Sequence, residues 1–165
     1  MIVELRSSLL PPRVPSEAIP ELAALVCEID LLRDGEADAQ IVEFNRRVGS
    51  HLIHEDFREY FASRSAEEFA FEQLVVNAIS PTPDVSTQEL VELVRRAMDA
   101  VTTEELVAYH ALLRVNGAGR AIAWIYWPPD ANATTATWGR GRPLSEYDPS
   151  AEQIVSWLSS DQPTS

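Results

Sequence analysis

Three times in this 165-residue chain a serine or threonine stands three residues ahead of a glutamate at the head of an apolar stripe. The sets are Ser65-Ala66-Glu67-Glu68, Ser86-Thr87-Gln88-Glu89 and Thr102-Thr103-Glu104-Glu105. In each, the hydroxyl can accept from the backbone N–H of the glutamate while that carboxylate reaches back to the N–H of the hydroxyl residue. This reciprocal cap marks a helix start. The stripes that follow recur at helical spacing: Phe69, Leu74, Val75 and Ala78; then Leu90, Leu93, Val94 and Ala97; then Leu106, Tyr109, Leu112 and Leu113. Apolar residues so spaced share one helical face and need a core to cover them. The fold class predicted is all-α, a helical bundle.

The same reading extends upstream. Leu22, Leu25, Val26, Ile29 and Leu32 predict a helix over 16–33, stopped by Gly35. Ile41, Phe44 and Val48 predict another over 36–48, ahead of Gly49. A helix with Phe57, Tyr60 and Phe61 on its apolar side follows His51 and His54. Residues 1–15, with Leu9-Leu10-Pro11-Pro12 and Pro15, read as a short extended arm. Ser80-Pro81-Thr82-Pro83-Asp84 is the clearest break, because paired prolines stop one helix and hold the chain extended before the next. It divides an N-terminal arm and helical region, 1–83, from a C-terminal helical unit, 84–165. The two are expected to pack as one globule of about seven helices.

Charge and composition exclude several kinds of chemistry. All 13 basic residues are arginine, so Schiff-base and lysine-base catalysis are ruled out. Against 26 acidic residues they leave a net charge of −13, which repels nucleic acid and anionic lipid and suits a cationic partner. The N-terminus lacks a basic-then-apolar leader and no apolar run is long enough to span a bilayer, so the expectation is a cytoplasmic protein. A single cysteine, Cys27, precludes an internal disulfide, and its place in a helical stripe predicts a buried thiol. His51 and His54 lie three apart, but no Cys or further His is near enough to complete a zinc set, so no metal and no cofactor is expected. No phosphate-binding glycine loop, serine elbow or Cys–His cluster points to an enzyme.

Two segments remain. Trp124-Ile125-Tyr126-Trp127-Pro128-Pro129 sets three aromatic rings against two prolines just after a helix that closes at Asn116-Gly117. The prolines predict a turn here, and the rings either plug the core or form a contact surface. After a loop over 130–147, Asp148-Pro149 reads as N-cap and first-turn proline of a last helix carrying Ile154, Val155, Trp157 and Leu158.

Two capped helices, an aromatic-proline turn, a polar loop and a capped helix with a terminal tryptophan, over 86–160, resemble the small four-helix immunity proteins that protect bacteria from colicin- and pyocin-type nuclease toxins. Where that family carries an Asp-Leu-Ile-Tyr-Tyr-Pro turn, this chain has Ala123, Trp124, Ile125, Tyr126, Trp127 and Pro128. The resemblance implies a non-enzymatic domain that binds the basic nuclease domain of a bacteriocin beside its active site. It implies shared binding energy from Tyr126 and Trp127 with Trp124 beside them, and selectivity from Thr103, Leu106, Val107, His110 and Arg114 on the preceding helix. Ala123 stands in place of the family's turn aspartate, Arg114 and Val115 replace acidic positions, and residues 1–85 have no counterpart. An alternative is a non-catalytic interaction or oligomerisation module, in which the apolar arm packs on a second copy to make a homodimer or folds back on its own chain.

Overall fold

The computed structural model describes residues 3–60, 64–130 and 133–160. Its contacts divide the chain into two units, Pro12–Ile79 and the pair of segments Met1–Pro11 and Ser80–Ser165. Among the described residues there are eight α-helices and one two-stranded antiparallel hairpin, so the protein is all-α in class.

In the unit Pro12–Ile79, a 3-10 turn at Ser16–Ala18 leads into α1 (Ile19–Leu31), with Pro20 in its first turn, where a missing N–H costs nothing. Then come α2 (Asp38–Val48), α3 (His54–Glu59) and α4 (Ala66–Ala78). Gly49 at φ 77 closes α2 by donating its N–H to Asn45 O at 2.8 Å. Asn45 then fixes the exit, its amide donating to Leu52 O at 2.9 Å and its oxygen accepting from Ser50 Oγ and the Leu52 N–H. The α1 and α4 helices pack together, with α2 and α3 against α1. Their common core is aromatic: Phe44 meets Phe57 edge-on at 5.1 Å and Phe69 at 6.1 Å, and Tyr60 stacks on Phe69 at 4.8 Å. Leu22, Val26 and Ile29 of α1 complete it. Phe61 lies outside the described residues.

Two expectations fail here. Cys27 is exposed. The buried face of α1 is Leu22, Ala23, Val26 and Ile29, and one residue past Val26 turns the side chain roughly 100° away. Ala78, the last residue of α4, is also exposed rather than inward.

The other unit contains α5 (Thr87–Met98), α6 (Thr103–Val115), α7 (Arg120–Tyr126), strands β1 (Thr137–Trp138) and β2 (Arg142–Pro143), a 3-10 turn at Leu144–Glu146, and α8 (Ala151–Ser159). Its core is aliphatic, with Leu93, Val94 and Ala97 of α5 against Leu112 and Leu113 of α6 and Ile154 and Val155 of α8. The caps at Ser65, Ser86 and Thr102 each show both reciprocal bonds. The N-terminal arm belongs to this unit, not with the helices that follow it in sequence. It folds back on its own chain: Leu5 and Leu9 are buried, and Arg6 donates to both carboxylate oxygens of Glu89 at 2.6 and 3.0 Å. Arg6 also bonds the carbonyls of Pro83 and Asp84, so it ties the arm to the proline break.

Three further expectations are corrected. Trp124, Ile125 and Tyr126 are helical, in α7, where a turn was predicted. Pro128 ends this helix without preventing it, because it constrains only the residue before it, and Trp127 is extended at φ −143. The loop over 130–147 contains the hairpin, paired Thr137 to Pro143 and Trp138 to Arg142. Finally, α8 is capped by Ser150, whose Oγ accepts from Gln153 N–H, and not by Asp148 with Pro149 inside.

Candidate functional site

Ala121 of α7 is buried, with Ala118 buried just ahead of the helix, and Ile122, Trp124 and Ile125 are half-buried. Tyr126 is 59% exposed and Trp127 40% exposed, adjacent at the end of the helix. Trp124 is half-buried, meeting Trp157 of α8 edge-on at 6.2 Å. The hydroxyl of Tyr147 donates to Trp124 O and, at 3.3 Å, lies by Trp127 O. Burial pushes that phenol up to about 12, so it remains a donor across the neutral range. The two exposed rings are therefore mounted on a backbone held by the Tyr147 hydroxyl, and large rings so held lose little rotamer freedom on contact.

On α6, Thr103, Leu106, Val107, His110 and Arg114 fall on one stripe at helical spacing. Thr103 and Arg114 are exposed, and Leu106, Val107 and His110 half-buried. The His110 ring meets Tyr126 edge-on at 6.3 Å, which joins the stripe to the exposed pair. Burial, then the nearby Arg114 guanidinium, lowers the pKa of His110 and keeps it neutral at pH 7. Its Nε2 is buried with no hydrogen-bond partner among the described residues. Thr103 begins the helix, seven residues or roughly 10 Å along the axis from His110, so it is not part of the same cluster.

Sequence reasoning missed the neighbouring hairpin. Trp138 meets Tyr147 edge-on at 5.0 Å, and the Arg142 guanidinium lies 3.9 Å over the Trp138 ring. Asp130 accepts from Gly139 N–H at 2.6 Å, fixing the turn at Gly139-Arg140-Gly141, where both glycines hold positive φ. The signal available was a tryptophan followed by two glycines one residue apart, a tight-turn pattern. Between hairpin and α8 lies a cleft of about 560 Å³ with Trp138 and Trp157 among its walls.

The histidines of the first helical unit are placed structurally. His54 begins α3, with Nε2 3.0 Å from Ile29 O and Nδ1 3.1 Å from Asp34, which also pairs with Arg58. His51 is exposed. Among the described residues no three His, Cys, Asp or Glu gather as a metal site, and no helix is long and apolar enough to cross a membrane. Set against family models, curated proteins and solved structures, the chain matches none of them.

Proposed function

We infer that the protein is a stoichiometric inhibitor of a basic bacterial toxin domain of nuclease type, an immunity-like partner that works by occlusion without turnover. The observation that carries the reading is the solvent exposure of Tyr126 and Trp127, side by side at the end of α7 on a pinned backbone. Large exposed aromatics in a cluster are costly for a monomer and characteristic of contact surfaces. A chain of net charge −13 attracts a cationic partner at long range, and its bound negative surface excludes nucleic acid from that partner. The α6 stripe from Leu106 to Arg114 then supplies selectivity around the aromatic anchors.

The test is capture from the native cell with tagged wild type beside a Tyr126→Ala, Trp127→Ala double variant whose helix content is unchanged by circular dichroism. The expected result is one basic protein, its nuclease activity abolished at one equivalent of wild type. The double variant should bind it roughly a hundredfold more weakly or worse. Equal inhibition by both proteins overturns the role of the aromatic pair, and no inhibited partner at all overturns the toxin reading. A second reading, an oligomerisation module, draws on a different observation: Leu31, Val42 and Ile53 of the other unit are well exposed. Light scattering over a concentration series separates the two, since a monomer at all concentrations removes self-association.

A further inference from the structure

We propose that the cleft between the hairpin and α8 binds a small zwitterion of the α-amino-acid class with a flat side chain. Its volume of about 560 Å³ falls within the roughly 300–1,000 Å³ of small-molecule sites. Trp138 and Trp157 supply aromatic walls for the side chain. Arg140 and Arg142 come from the hairpin turn and β2, and Glu146 and Asp148 from the segment leading to α8. Asp130 lines the cleft as well, at the hairpin turn, its carboxylate accepting from Gly139 N–H, and among the described residues Arg140, Arg142, Glu146 and Asp148 are in no ion pair. Elsewhere in the same unit Arg6 pairs with Glu89, Arg95 with Glu92 and Glu152, and Arg96 with Glu92.

Arg142 is drawn onto the Trp138 face at 3.9 Å, which presents the edge of a planar guanidinium suited to a carboxylate. Glu146 and Asp148 belong to the other segment, and Asp130, on the hairpin side, is engaged by the Gly139 N–H. A ligand with a single charge satisfies one set only, whereas a zwitterion places its carboxylate at the arginines and its ammonium at Glu146 and Asp148. Trp138 Nε1 is buried without an acceptor among the described residues. Tyr126 and Trp127 do not line this cleft, and the proposal does not rest on the toxin reading.

The test uses the full chain and three related probes: L-phenylalanine, its amide, which is cationic only, and N-acetyl-L-phenylalanine, which is anionic only. Binding is read by calorimetry and by the indole N–H signals of Trp138 and Trp157. L-Phenylalanine is expected to saturate and move both signals, with each blocked probe roughly tenfold weaker or worse. Arg140→Gln and Glu146→Gln, both on exposed side chains, should each weaken it similarly without moving the unfolding midpoint. L-Tryptophan, L-arginine and L-alanine run alongside, and alanine should bind weakest. Equal binding of either blocked probe, equal binding of alanine, or no binding by any of the four amino acids at millimolar concentration overturns the proposal.

Discussion

The two units put their aromatic residues to opposite use. All five phenylalanines fall in the unit Pro12–Ile79, and all four tryptophans in the unit that contains α5 to α8. Phe44, Phe57 and Phe69 have no polar atom to satisfy, and they interlock at the centre of their core at 5.1 to 6.1 Å. The tryptophans instead sit at the edge of an aliphatic core built from Leu93, Leu112, Leu113 and Ile154. An indole carries an N–H that suits a half-wet position. In one unit aromatic area has been used to hold the fold together, and in the other it remains available for contact.

The largest expected effect tests this contrast directly. Phe44→Ala should cost about 3–5 kcal/mol of stability, since it empties the middle of the aromatic cluster. The Tyr126→Ala, Trp127→Ala pair should cost less, about 1–2 kcal/mol, because both side chains lie outside the buried core. Urea unfolding followed by circular dichroism measures both. If the α7 pair proves as costly as Phe44, its rings belong to the core and the contrast collapses.

Next in size is the arm. Hydrogen bonding from Arg6, then Ser86, holds the Glu89 carboxyl down at about 2, against an ordinary value of 4.5. A pKa depressed in the folded state gives stability that is present above the unfolded value and lost as pH falls from 4.5 towards 2. Arg6→Gln should therefore remove about 1–2 kcal/mol at pH 7, moderated because Arg6 is 44% exposed in its side chain. It should also raise the Glu89 titration midpoint observed by NMR and flatten the acid limb of the stability curve. An unchanged Glu89 midpoint would mean that the arm does not set it.

Tyr147→Phe comes next, at about 1 kcal/mol, for the loss of a hydroxyl that donates to the end of α7. Its raised pKa works in the reverse sense. The neutral phenol is the stabilised form, so its contribution holds below the unfolded value near 10 and fades as pH rises towards 12. The variant should lose less stability than wild type between pH 10 and 12 in thermal melts, the remaining loss coming from Tyr60, which burial also pushes up to about 12.

The difference between the units also governs what the sequence revealed. Helix starts were legible wherever a side chain does the capping locally, as at Ser65, Ser86 and Thr102. The start of α8 was misplaced because Asp148-Pro149 offers the same signal two residues early, and only the Ser150–Gln153 pair decides between them. The attachment of the arm could not be read, since it rests on an arginine and a glutamate 83 positions apart. Of the candidate contact residues, the α7 aromatics were legible by composition. Their exposure was not, because it depends on which face of α7 is turned inward, and the buried residue there is Ala121. The cleft was missed altogether: it exists only when the hairpin brings Trp138 opposite a helix that begins 13 residues later.

The smallest effect sharpens the comparison within a single helix. Cys27 and Val26 are neighbours on α1, one exposed and one fully buried, although the spacing predicted both to face inward. Cys27→Ser should change stability by less than about 0.5 kcal/mol, the range of ordinary surface substitutions. Val26→Ala, which removes two methyl groups from the packed side of the same turn, should cost about 1–3 kcal/mol. In the folded wild type the thiol should react completely with an aromatic disulfide reagent, at a rate that does not fall when stabilising sucrose is added. If the reaction instead slows in proportion to added stability, the thiol is reached only through opening. The face of α1 would then have to be turned by one residue, with Cys27 moving inward toward the phenylalanine core.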